Sequence, residues 1–279
     1  MKLPVDGFDA YAYTGAKEFD GARDPLIFVH GGGLDHTVWL LQSRYFAHHG
    51  RSVMAVDLPA HGKSAGEPLA SIPDMADWVV RLMDAAGAKT ATLVGHSMGA
   101  LVVLEAAARY PGRIKCIVTI GISVPMPVTD ALLSAAEANR HDAFDMVNVW
   151  GHGGRAHVGG NQAPGMWMIG SGVRLLEKSG PGVLHADLRA CNDYRHGLES
   201  SAALGCPVHV ILGQDDRMSP VRAAQPFLEA LADGRVTIIE NCGHMIMAER
   251  PGEVLDLLIA ALGSPVGSPV GSPVGSPGS

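Results

Sequence analysis

Ser97 stands in Gly95-His96-Ser97-Met98-Gly99, directly after the apolar run Thr90 to Val94 and directly before a helical pattern, Met98 to Arg109. A serine hydroxyl is a poor nucleophile unless a base takes its proton. The chemistry therefore depends on which histidine and which acid accompany it. A Gly-x-Ser-x-Gly pattern between strand and helix predicts a sharp turn with the serine at its apex. Glycines are needed beside it because neighbouring backbone crowds the turn and a Cβ would clash. The same turn sets the Met98 N–H at a helix N-terminus, where it can donate to a developing oxyanion. The competing reading is a helix-capping serine beside unrelated glycines, which the flanking strand and helix disfavour.

The chain has thirteen histidines, so the presence of one proves nothing. His244 is distinguished by place: it follows the last strand pattern, Val236 to Glu240, in Asn241-Cys242-Gly243-His244. His48 and His49 end a helical pattern, His209 lies within a strand pattern, and His152, His157, His185 and His196 fall in the middle of the chain. His96 is expected to pack rather than react. A base needs an acid to fix its tautomer and stabilise the imidazolium. Gly213-Gln214-Asp215-Asp216-Arg217-Met218-Ser219-Pro220, after the run Val208 to Leu212, offers two adjacent carboxylates. Serine, aspartate and histidine then come in that order, each after a strand. Gly31, Gly32 and Gly33, after Leu26 to Val29, would let backbone N–H groups face an anion with no side chain in the way.

These residues need a scaffold, and the chain supplies an alternating one. Apolar runs at Leu26 to Val29, Ser52 to Val56, Thr90 to Val94 and Ile114 to Ile120 are separated by helical patterns at Val38 to His48, Ile72 to Ala86 and Met98 to Arg109. Continuous apolar strands alternating with helices predict an α/β fold: a mostly parallel sheet with helices on both faces. The rhythm stops at Pro125-Met126-Pro127 and resumes at Val208, with helical patterns at Val221 to Ala232 and Glu253 to Leu262 around the last strand. Residues 1–124 and 205–262 are thus read as the core. Residues 125–204 are read as a helical cap or lid inserted on the sheet, with helical pieces at Asp130 to Val149, Gly172 to Lys178 and Gly182 to Asp193. Residues 263–279, a Gly-Ser-Pro-Val repeat, lack the composition for a core and are read as a flexible tail.

Composition excludes several alternatives. A net charge of −7 lacks the basic stripe that nucleic-acid binding requires. No apolar run approaches the roughly 20 residues of a membrane helix, and the amino terminus has no signal-peptide pattern. Cys116, Cys191, Cys206 and Cys242 are scattered, which fits core thiols in a reducing cytoplasm better than disulfides or a metal site.

With His30-Gly31-Gly32, Asp57-Leu58-Pro59-Ala60-His61-Gly62-Lys63-Ser64, the Ser97 turn, the Asp215-Asp216 loop and Gly243-His244 in order, the chain resembles the α/β-hydrolase-fold proteins from about residue 8 to 262. The resemblance implies an oxyanion hole from the backbone N–H groups of Gly32 and Met98. It also implies Asp216 as the acid, by its distance from Gly213 and Pro220. Ala60 departs from the family, where a second glycine is usual, and only a structural consequence is expected of it.

The expected activity is hydrolysis of small or medium carboxylic esters by Ser97, His244 and Asp216 through an acyl-enzyme, with no cofactor and no metal. Epoxide- and halide-cleaving relatives carry aspartate at the turn, which Ser97 argues against. Carbon–carbon hydrolases of this kind tend to carry Asn before the nucleophile and Trp after the histidine; here those positions are His96 and Met245. Enol-lactone hydrolysis, cofactor-free acyl transfer or perhydrolysis, and a ligand receptor on a hydrolase scaffold remain as alternatives. Met126, Met146, Trp150, Met166, Trp167 and Met168 form a soft apolar set for substrate binding, joined by Met245, with packing within the insertion as the other reading. Arg155, Arg174 and Arg189 are either carboxylate-binding or surface residues.

Overall fold

The computed structural model describes residues 1–160, 162 and 167–263; Met166 and the repeat residues 264–279 lie outside them. An eight-stranded sheet forms the centre, in the order β1-β2-β4-β3-β5-β6-β7-β8. Its parallel part consists of β3 (Leu26–Val29), β4 (Val53–Val56), β5 (Ala91–His96), β6 (Ile114–Ile120), β7 (Val208–Gly213) and β8 (Gly234–Ile239). The added hairpin β1 (Lys2–Val5) and β2 (Phe8–Tyr13) pairs antiparallel to itself and to β4. Its turn, Asp6-Gly7, takes φ of 51° and 83°, the left-handed pair that a two-residue hairpin demands.

Register explains how distant loops converge. Val29 pairs with Val56 and Gly95, His96 with Ile120, Ile120 with Ile211, and Gly213 with Ile239. The carboxyl ends of six parallel strands therefore lie in one row, and the loops after them share one edge. Alternate residues of β3 face opposite layers, as strand geometry requires. Leu26 and Phe28 pack with Trp39, Phe46 and Leu258, whereas Ile27 and Val29 pack with Val79 and Leu101. The two layers are supplied by α1 (Leu40–His48), α2 (Ile72–Ala85) and α3 (Met98–Arg109), and by three helices late in the chain. Phe28 is fully buried, so truncating it to alanine would cost about 3–5 kcal/mol.

Between β6 and β7 run α4 (Asp130–Glu137), α5 (Asp142–Gly151), α6 (Gly154–His157), α7 (Met168–Leu176), α8 (Val183–Asp193) and α9 (Gly197–Ala202). Leu132, Leu176, Leu184 and Leu188 form a separate apolar cluster there, joined by Leu34 from the loop after β3. The helix expected over Asp130 to Val149 is broken in two near Asn139, whose φ is 50°. The core closes with α10 (Val221–Ala230), α11 (Ile246–Glu249) and α12 (Pro251–Leu262). Among the described residues no helix is long and apolar enough to cross a membrane.

Candidate active site

Ser97 sits between β5 and α3 with φ 53° and ψ −118°, a conformation that an L-residue holds only when its surroundings impose it. Those surroundings are tight. A Cβ on Gly95 would fall 2.1 Å from the Gly99 carbonyl oxygen, and one on Gly99 would fall 2.4 Å from the Val29 oxygen. The Ser97 N–H donates to Ile120 O at 2.9 Å, tying the turn to β6. Its side chain makes no capping bond to α3, which leaves Oγ uncommitted.

His244 and Asp216 meet across two loops. His244 Nδ1 donates to Asp216 Oδ2 at 2.7 Å, while Asp216 Oδ1 accepts from the Met218 and Ser219 N–H groups, both at 2.8 Å. Burial opposes ionisation of this carboxyl, but His244 and the two backbone donors outweigh it and hold its pKa below the ordinary value. The proton on Nδ1, assigned from these contacts, leaves Nε2 as the basic nitrogen. That nitrogen is buried and has no protein partner among the described residues. Asp215, the neighbouring carboxylate, is exposed.

The histidine loop is held from several sides. His244 N–H and Met245 N–H both donate to Gly151 O at 2.9 Å, and His96 Nε2 donates to the His244 carbonyl at 2.9 Å. His96 thus supports the His244 backbone, a role that its adjacency to Ser97 in sequence did not reveal. Burial, with the neighbouring His244 ring, pushes the His96 pKa down to about 3, so no second positive charge competes there. Glu249, also missed from sequence, accepts from Gly243 N at 3.1 Å and Gly153 N at 3.0 Å.

Ser97, His244, Gly32 and Met98 line one cavity of about 140 Å³. Neither the Gly32 nor the Met98 N–H donates to a protein acceptor among the described residues. Gly33 differs: its N–H donates to Asp187 Oδ2 at 2.7 Å. The same oxygen accepts from His61 Nε2 at 2.8 Å, and His61 Nδ1 donates to Pro59 O at 2.9 Å. Both ring nitrogens of His61 therefore face acceptors, which calls for an imidazolium. Burial opposes that charge, but Asp187 outweighs it and raises the His61 pKa.

Of the residues expected to contact substrate, Trp150 and Met245 line the cavity, together with Met126, Val128, Leu132 and Val147. Trp167 does not. It is 72% exposed, with its ring over Gly170 in the next turn, and this corrects the expectation for it. Met166 lies outside the described residues. Arg174 and Arg189 form exposed ion pairs with Glu177 and Asp193 of their own segments, and Arg155 is exposed. Ala60 takes φ 67°, filling a position suited to glycine. One group among the described residues, Asp35, His36 and Asp57, has the spacing of a metal site. Asp57 already accepts from His36 N, His36 Nδ1 and Lys63 N, which accounts for that cluster as a hydrogen-bonded loop corner.

The chain belongs to the alpha/beta hydrolase family, whose model matches residues 26–257. It is 22% identical over 240 residues to the (E)-2-((N-methylformamido)methylene)succinate hydrolase of Acinetobacter baylyi, covering 84% of this chain and 88% of that one. It is 28% identical over 242 residues to the esterase YbfF of Escherichia coli, covering 84% and 91%. Among solved structures, a bromoperoxidase from Bacillus anthracis superposes with a TM-score of 0.81 at 18% identity, covering 94% of this chain and 99% of that one. Hydrolase activity is supported by the family and by the two curated relatives.

Proposed function

We propose that this family member is a serine carboxylesterase acting on small esters. The observation that carries the reading is the buried 2.7 Å bond from His244 Nδ1 to Asp216 Oδ2, which leaves Nε2, in the wall of the cavity that Ser97 lines, without a partner among the described residues. Ser97 Oγ attacks the acyl carbon as its proton passes to Nε2. The carbonyl electrons move onto oxygen, which the Gly32 and Met98 N–H groups stabilise. Collapse expels the alkoxide, which takes the proton from Nε2 and leaves as alcohol. Water, deprotonated by the same nitrogen, then displaces Ser97 and releases the acid.

Size and lining support a small substrate. An engineered cavity of ~150 Å³ accepts benzene, and the present one is similar and mainly apolar. Residues 125–204 act as a cap in this reading, because α5 and α8 contribute Trp150 and Leu188 to the cavity wall.

The test is a serine-directed phosphonate together with Ser97→Ala. The wild type should be labelled once, at Ser97, and the variant should remain folded without hydrolysing p-nitrophenyl butyrate. Label on another residue, or an active alanine variant, rejects the mechanism.

A further inference from the structure

Among the described residues, three buried polar atoms without a protein partner belong to residues lining the cavity: His244 Nε2, His96 Nδ1 and Asp187 Oδ1. The first serves the reaction. The second is the bare lone-pair nitrogen of a neutral ring whose Nε2 is engaged. Asp187 is different, because nothing in the reaction uses it. It is fully buried on α8, in a mainly apolar wall, where leaving a polar atom unsatisfied is costly. Its Oδ2 is committed to Gly33 N and His61 Nε2, so Oδ1 cannot take either donor without losing the tie between α8 and the glycine loop.

We propose that Asp187 Oδ1 accepts a hydrogen bond from a substrate hydroxyl near the scissile carbonyl, which makes small hydroxyacyl esters the preferred substrates. Position supports this. Asp187 Cβ and Oδ2 lie 3.2 and 3.7 Å from where a Gly32 side chain would begin, and both residues line the same cavity, so the Asp187 side chain borders the residue whose N–H the esterase reading aims at the carbonyl oxygen. The inference rests on the esterase reading for that orientation. Charge supports a neutral donor: the His61 imidazolium already balances Asp187, so a cationic substrate would bring uncompensated charge into a buried site. A carboxylate beside a developing oxyanion would also repel it if left unbalanced, and His61 removes that penalty as well.

The test uses binding, so that it does not depend on turnover. Ser97→Ala protein is titrated by calorimetry with ethyl butyrate, ethyl 2-hydroxybutyrate, ethyl 3-hydroxybutyrate and ethyl 3-methoxybutyrate. The better hydroxy ester should bind at least about tenfold more tightly than butyrate, since a site built to bond a hydroxyl discriminates strongly against its absence. The methoxy ester, which cannot donate, should gain nothing. Adding Asp187→Asn should erase the distinction between hydroxy and methoxy esters, because the amide oxygen keeps the His61 and Gly33 bonds and turns toward the cavity an NH2 group that donates to either oxygen. Equal binding of all four esters by Ser97→Ala protein, or a hydroxy-over-methoxy preference that survives Asp187→Asn, overturns the inference; the first comparison needs no change at Asp187. Hydrolysis of all four by the wild type without a hydroxyl preference in binding removes this inference and keeps the esterase. A hydroxyl preference in binding with no hydrolysis keeps the Asp187 site and removes the esterase.

Discussion

His244 Nδ1 and Asp216 Oδ2 stand 2.7 Å apart, and the other Asp216 oxygen is taken up by two backbone N–H groups. The carboxylate has a fixed orientation, so the imidazole it holds has a fixed tautomer. Asp215, one residue earlier, donates its backbone N–H to Cys242 O and exposes its side chain.

Asp216→Asn should therefore cost several orders of magnitude in turnover. The amide can present an N–H to Nδ1 and favour the wrong tautomer, an effect of ~10⁴-fold in the serine-protease template. Asp215→Asn should cost less than about tenfold, or ~1.4 kcal/mol of barrier. Steady-state kinetics on p-nitrophenyl butyrate decides it; interchanged outcomes would reject Asp216 as the acid.

Gly121, at the end of β6, has φ 65°, and a Cβ there would fall 3.1 Å from both Nδ1 and Cε1 of His244. Gly121→Ala should displace the imidazole while imposing about 1 kcal/mol of left-handed backbone strain. The expected result is a kcat at least about tenfold lower, as small misplacements of catalytic groups produce, with the melting temperature lowered by only a few degrees. Unchanged kcat would mean that the ring is not held in this position.

Much of this arrangement can be read from local sequence. Leu26 to Val29, Ile114 to Ile120 and Met98 to Arg109 coincide with β3, β6 and α3 because continuous apolar strands and a long apolar helix carry strong periodic signals. The β1–β2 hairpin gives a weak apolar signal because seven of its ten strand residues are exposed or half-buried, although Asp6-Gly7 is a hairpin signal in its own right. Trp150 and Trp167 were indistinguishable by type; which face each occupies is decided by how α5 and α7 pack. Asp187 and His61 are 126 residues apart, and no local spacing links them. His61 did appear in the Asp57 to Ser64 motif, but its partner on α8 had no signal at all.

That pair yields the final prediction, because its strength depends on pH. His61 has a folded-state pKa raised by Asp187 against the opposing effect of burial. A histidine raised in the folded state contributes stability that is fully present below its unfolded value, near ~6.5, and is lost as pH rises through the folded value. His61→Gln keeps a neutral donor toward Asp187 and carries no titrating charge. At pH below that reference the wild type should exceed the variant by about 1.5–3 kcal/mol, the usual worth of a hydrogen bond to a charged group. On the alkaline side the gap should narrow, because deprotonated His61 leaves the buried Asp187 carboxylate unbalanced in the wild type too. Urea unfolding of both proteins across neutral and mildly alkaline pH measures the gap directly. A gap that stays constant or widens with pH would show that His61 is neutral in the folded protein. Asp187 would then carry its charge beside Gly32 without compensation, and the electrostatic balance argued for the oxyanion site would fail.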